Sequence, residues 1–374
     1  RFGSSIGPVH NERRASGLVI SKHASPIHDS SFTILDGDHP VPGPRSLEAG
    51  RQAADFLSAL GPDDLLFCLV SGGGSALVAA PGDGVTLDDL GALTAALLAC
   101  GARVDEINTL RRHLDRLKGG GVVKLSNGAT VVGLILSDVV GSPLEAIASG
   151  PTAPDPSTRA DALAILSKYQ LESQIPSSIL HALHASSETP KPGDPIFARV
   201  RNTIVGSNLL AAQAALKQAG EQGFHPYLLR TDLQGEARDV AFELATLLRQ
   251  AWQTGDPVPR PACIVAGGET TVTMQGNGKG GRNTELALSA VNELADFPGV
   301  MLVTLATDGE DGPTDAAGAV VDGETFRRAA TLGLNQVAHL ERNDSYPFFA
   351  ALGDLLQPGP TGTNVNDLTF LFTF

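Results

Sequence analysis

Cysteine is scarce in this chain. Three thiols, Cys68, Cys100 and Cys263, lie far apart among 374 residues. Neither their spacing nor their odd number suits a zinc site or a disulfide framework. They read as buried free thiols in a reducing compartment, so the expected location is cytoplasmic. Positive charge is also in short supply: 27 Lys and Arg face 41 Asp and Glu, a formal charge of −14. That balance argues against binding nucleic acid through its phosphates and against an acidic membrane surface. It leaves a small anionic ligand open, because the local field outweighs net charge. No apolar run approaches the about 18 residues of a membrane helix. No signal-peptide pattern is seen. The first residue is Arg1, so the natural N-terminus is expected to lie upstream.

Glycine is plentiful instead, at 42 residues, with 24 prolines, both spread along the chain. This suits many short loops between strands and helices. Apolar runs at 17–21, 65–70, 130–136, 203–205, 262–266 and 300–306 alternate with Ala- and Leu-rich helical patterns. These lie at 46–60, 87–99, 160–169, 209–219, 236–253 and 283–294. Such alternation predicts an α/β protein with largely parallel sheets and helices on both faces. Ligands of such sheets bind at the carboxyl ends of strands. Residues 172–198 carry Pro176, Pro190, Pro192 and Pro195 and lose periodicity. Two domains are expected, 1–198 and 199–374.

Four clusters at strand ends can carry chemistry. Ser71-Gly72-Gly73-Gly74-Ser75 follows the run 65–70, with Ala76–Ala80 able to start a helix. Glycine turns and free N–H groups there make an anion site, or simply a tight turn. Gly267-Gly268-Glu269-Thr270-Thr271 is followed by 276–283, where Lys279 and Arg282 sit in a glycine-rich loop that opens a helix. This is either a phosphate- or carboxylate-binding loop or a mobile tip with solvated charges. The loop 307–315 holds Asp308, Asp311 and Asp315. It suits Mg²⁺ binding or proton abstraction, or else local Asx turns. Asp138 ends the run 130–136 as a catalytic candidate or a turn cap. Asn108, Arg111 and Arg112 share a helical face that suits an acidic substrate or plain solvent. His39 reads as structural. No serine-hydrolase elbow, HExxH or metal-type Cys/His cluster appears. Phosphoryl transfer fits what remains, since it needs positioning and charge neutralisation more than a special nucleophile.

Together these segments resemble the MOFRL-type, or class II, glycerate kinases. The resemblance runs through 71–77, 106–120, 136–139, 148–152, 267–272, 280–283, 307–309, 311–318 and 360–368, in the family's order. It implies a Rossmann-like N-terminal domain, a smaller C-terminal α/β domain and an active site in the cleft between them. The implied activity is ATP- and Mg²⁺-dependent phosphorylation of D-glycerate, commonly at the 2-hydroxyl, and a homodimer is allowed. Members have also been labelled hydroxypyruvate reductases. This chain shows no dinucleotide fingerprint and no ribose-binding acid at the expected spacing. A non-catalytic two-lobed anion-binding protein is the further alternative. Arg282 matches the family's active-site arginine in GGRN. The family's functional lysine, in a GKA-like motif upstream of Gly17, has no counterpart in Arg1–Ala15. It is expected in a segment absent from this sequence.

The expected site combines the matches at Arg282 and 72–75 with the residue clusters described above. Ser71, Gly72, Gly73, Gly74, Ser75 and Lys279 meet ATP phosphates. Asp308 or Asp311 holds Mg²⁺. Arg282, with Arg111, Asn108 and Glu269, binds glycerate, and Asp138 or Asp315 accepts its hydroxyl proton.

Overall fold

The computed structural model describes residues 15–22 and 29–374. The chain divides into two compact units. The first takes in the chain up to Cys68, then Gly73–Val132 and Ala148–Arg201. The second takes Leu69–Gly72, Gly133–Ile147 and Asn202–Phe374.

In the first unit β1 (Gly17–Ser21) pairs in parallel with β2 (Phe32–Asp36). Helix α1 (Pro44–Ser58) starts on proline, whose fixed φ suits the first helical turn. After β3 (Leu65–Val70) come α2 (Gly74–Leu77), α3 (Leu87–Ala99), α4 (Val104–Leu114) and α5 (Gly121–Leu125). Then follow β4 (Thr130–Leu136), α6 (Arg159–Lys168) and α7 (Ser177–Ala185). Thr86 and Asp89 close a reciprocal capping box at the start of α3. Leu93 and Leu97 of α3, Leu110 and Leu114 of α4, Leu166 of α6 and Ile179 and Leu183 of α7 form one buried core. β3 and β4 join β5 (Val200–Gly206) in a three-stranded sheet, and the chain passes between units within each of these strands.

The second unit continues with α8 (Asn208–Glu221), β6 (His225–Leu233), α9 (Ala237–Thr254), β7 (Ala262–Gly268), α10 (Arg282–Glu293) and β8 (Val300–Ala306). Next come β9 (Gly318–Asp322), α11 (Thr325–Thr331), α12 (Gln336–Glu341), α13 (Ser345–Leu352), β10 (Leu355–Leu356) and β11 (Asp367–Thr373). Its six-stranded sheet runs β10-β9-β8-β11-β7-β6. Every residue of β7 is buried, as expected of a strand covered on both faces. Helices α9 and α10 pack their apolar faces, including Leu244, Leu248, Leu288 and Val291, into the larger core.

β6 and β7 are parallel, as the alternation predicts. The sequence pattern did not reveal β11, which enters antiparallel between β7 and β8. This direction matters for the site. It sets Asp367, the first residue of β11, opposite both Gly268 and Ala306, the last residues of β7 and β8.

Candidate active site

The carboxyl ends of β7 and β8 gather charge around one cation in the second unit. Arg282 is the first residue of α10. Its Nε donates to Asp367 Oδ2 at 2.5 Å and its Nη2 to Asp367 Oδ1 at 3.1 Å. Its Nη1 donates to Glu269 Oε1 at 2.8 Å. Burial works against the guanidinium charge, but the bonds and charges of Asp367 and Glu269 overcome it and hold its pKa above the ordinary value. Burial pushes the Glu269 carboxyl up. Arg282 opposes this, and the charges of Asp367, Asp138 and Asp308 add to it. Arg282 and Glu269 line an open pocket of about 700 Å³ with Gln234, Gly235, Thr271 and Gly312.

Asp138 follows β4 and is half-buried. Burial raises its pKa, opposed only by its own backbone N–H. That is the profile of a carboxylate more basic than an ordinary one. Gly72 permits its placement: a Cβ there would lie 2.0 Å from Asp138 Oδ2. The glycine is needed for this close approach within the second unit. Asp308 is half-buried and accepts the Glu310 N–H through Oδ1 at 3.1 Å.

Other expected residues have different surroundings. Asp311 is 1 % exposed and accepts the N–H groups of Asn283 (2.9 Å) and Thr284 (2.8 Å) and the Thr284 hydroxyl (2.8 Å). It is the anion at the start of α10, so neither that helix end nor this carboxylate stands open to a phosphate or metal. Gly281 lacks a side chain because Asp311 passes where a Cβ would be, 2.4 Å away. The letters 276–281 do spell G-x-G-x-x-G, which the sequence reading passed over. Yet the motif does not directly follow β7, and the loop packs against Arg342–Ser345. It is a fitted turn rather than a dinucleotide cradle. Lys279 lies over the Tyr346 ring at 4.1 Å. The Tyr346 hydroxyl donates to Asp315 Oδ1 at 2.7 Å, and this bond above all lowers the Asp315 pKa. An exposed carboxylate with a lowered pKa is a weaker base than Asp138.

In the first unit, α2 is a single turn, too short for a macrodipole argument. Among the described residues, the N–H groups of Gly74 and Ser75 have no backbone acceptor. Gly73 takes φ +77° beside the His39 ring. The Ser75 and Ser149 hydroxyls bond at 2.8 Å, and Ser149 donates to Asn108 Oδ1 at 3.3 Å. Arg111 is half-buried, and burial lowers its pKa. No acidic partner faces it among the described residues. Arg112, one residue on, turns away to a buried ion pair with Asp155 at 2.8 Å. The expected shared cationic face therefore reduces to Asn108 and Arg111. Among the described residues no cluster of three or more His, Cys, Asp and Glu has metal-binding geometry.

Residues 6–184 match the family described as a domain of unknown function, DUF4147, and residues 262–367 match the MOFRL family. A glycerate 2-kinase from Pyrococcus horikoshii is 39% identical, over 94% of this chain and 80% of its own length. The chain belongs to the glycerate kinase family. Another relative, from Agrobacterium vitis, is named as a hydroxypyruvate reductase and is 41% identical, over 94% of this chain and 80% of its own. The crystal structure of a glycerate kinase from Thermotoga maritima superposes with a TM-score of 0.90 at 37% identity, covering 97% of this chain and 92% of that one.

For a glycerate kinase family member, the residue that sequence reasoning passed over is Asp367. It lies within the motif 360–368, but its carboxylate meets Arg282 from 85 positions away. The available signal was an acid in that motif and an arginine in GGRN, each in need of an opposite charge. The expected absence of the family's lysine concerns Arg1–Ala15; residues 1–14 are outside the described residues.

Proposed function

We infer that the protein is an ATP-dependent kinase that phosphorylates D-glycerate to 2-phosphoglycerate. One observation carries this reading within the glycerate kinase family. A guanidinium points one edge into an open pocket, while a carboxylate of raised pKa, Asp138, lies within electrostatic reach of Glu269 beside it.

In the proposed reaction Arg282 receives an anionic oxygen of the substrate or of the transferring phosphoryl group through Nη1. Two parallel N–H bonds to Asp367 hold its plane, so little reorganisation is needed when charge develops. Asp138 accepts the proton of the attacking hydroxyl; burial keeps its basicity above that of an ordinary carboxylate. Taken by itself, the first unit offers the amides of Gly74 and Ser75 and the Arg111 cation as groups suited to anionic oxygen. Lys279 and Asp315 are tied to Tyr346 and are given no chemical step.

The carboxylate charges of Asp367, Asp138 and Asp308 all bear on Glu269, and such repulsion is what a divalent cation relieves. Asp308, a half-buried carboxylate after β8, is the residue that would hold magnesium, which would supply charge neutralisation for phosphate oxygens. One carboxylate plus phosphates and water is an ordinary magnesium environment.

Reduction of hydroxypyruvate is not favoured, because the G-x-G-x-x-G letters sit in a packed turn. The test is ADP release from ATP and Mg²⁺ across a panel of small hydroxy acids, with NADH oxidation on hydroxypyruvate run alongside. Turnover with D-glycerate and a 2-phosphate product by phosphorus NMR is expected. NADH oxidation without ADP release would overturn the assignment.

A further inference from the structure

We propose that Asp367 is a positioning residue for phosphoryl transfer, acting through Arg282. This rests on the reading of Arg282 as the anion-binding cation. The two carboxylates on Arg282 are not equivalent. Asp367 is buried, with 10% of its side chain exposed, and it grips Nε and Nη2 together. Glu269 has 45% of its side chain exposed and takes a single bond, from Nη1. A two-point grip on one edge fixes the plane of a guanidinium, whereas a one-point bond lets it swivel. Asp367 thus decides where Nη1 points, and Nη1 is the nitrogen turned to Glu269, which lines the pocket.

The aspartate is itself held from behind. Asn208, the first residue of α8, donates through Nδ2 to the carbonyls of Val365 (3.0 Å) and Asp367 (2.9 Å). Gly267 leaves room for that amide: a Cβ there would lie 1.8 Å from Asn208 Oδ1. Strands β7 and β8 fix the register of Asp367 from both sides. The cation needs such support. It stands at the N-terminal end of α10, where the helix dipole disfavours positive charge.

A purely structural ion pair would affect the melting temperature and leave turnover of the folded enzyme alone. A positioning pair couples in catalysis, so a double-mutant cycle in kcat/KM separates the two. ADP release with D-glycerate, ATP and Mg²⁺ is measured for Arg282→Ala, Asp367→Asn, Asp367→Glu and the Arg282→Ala/Asp367→Asn pair, with thermal unfolding of each. Asp367→Asn is expected to lose about 30-fold, as displaced catalytic groups do. Asp367→Glu is expected to recover about a third of that loss or more by restoring the charge. The double variant is expected to stay within about threefold of Arg282→Ala. A near-parental Asp367→Asn beside a crippled Arg282→Ala would overturn the positioning role and spare the arginine. So would losses that multiply in the double variant. An Arg282→Ala enzyme of parental activity would instead remove the reading beneath it. Should Asp367→Asn fail to fold, Asn208→Ala asks the same question from the backbone side. It is expected to lose about fivefold in the parent and nothing further on Arg282→Ala; equal losses in both would overturn the proposal.

Discussion

Arg112 in the first unit and Arg282 in the second each meet an aspartate through Nε, at 2.8 and 2.5 Å. The surroundings differ. Arg112 is 6% exposed and also donates to the Thr109 and Ser157 hydroxyls. Its partner Asp155 is fully buried and accepts from Ser157 and Thr189 as well. Nearby His113 bonds the Thr109 carbonyl and Glu188. That network is closed, with its polar groups spent on one another. Arg282 keeps 31% of its side chain exposed, and its second partner is a solvent-facing glutamate on a pocket wall. The same pair of residue types is structural where every bond is internal. It is available for chemistry where one bond can be exchanged for a ligand's.

The comparison breaks most visibly at Arg112. Replacing it by alanine strands Asp155 as an uncompensated buried charge, so a stability loss of about 3–5 kcal/mol is expected in chemical denaturation. Arg282→Ala should shift the balance toward function. It also leaves the buried Asp367 carboxylate without its cation, so some stability is lost. The dominant effect is expected in turnover, a loss of about a hundredfold, or about 3 kcal/mol of transition-state stabilisation. If the two variants exchanged phenotypes, exposure would be no guide to role in this protein.

Gly72→Ala sharpens the picture at Asp138, the proposed base. The added Cβ must displace the Asp138 carboxylate, and about tenfold lower kcat/KM is expected with near-parental stability. The smallest effect concerns pH. The raised Asp138 pKa means the folded state disfavours its ionised form. That cost is absent below the unfolded value of 3.8, grows as pH rises toward the folded value and is complete above it. Asp138→Asn should therefore melt slightly higher at neutral pH, and the gain should vanish in strong acid. In the parent, the acid limb of kcat/KM should lie above pH 3.8 and disappear in this variant, if activity enough remains to trace it.

Much of this was legible from local pattern. The apolar runs 65–70, 130–136 and 300–306 coincide with β3, β4 and β8, and the stretch 87–99 with α3. These segments carry their own signal, an apolar run or a 3.6-residue period, although the run at β3 leaves Leu65, Phe67 and Leu69 exposed. Arg282 was legible for the same reason, at a helix start in a glycine-rich stretch. Asp311 was not. A carboxylate in an acidic loop looks the same whether it meets a metal or caps a helix through Asn283, 28 positions earlier. Lys279 reads as a free cation until Tyr346, far along the chain, is seen beneath it. Strand direction was equally hidden, because no residue within 367–373 says that its neighbours run the opposite way.

The late, central insertion of β11 also sets an order of events during synthesis. β7 and β8 are made first, yet neither touches the other in the finished sheet; each waits for a strand that begins about sixty positions after β8 ends. Until the ribosome has passed Thr373, both offer bare hydrogen-bonding edges, the kind of surface that recruits foreign strands. Nascent chains stalled before that point should need chaperone shelter and be inert as enzymes, since the clamp on the arginine arrives with the last strand.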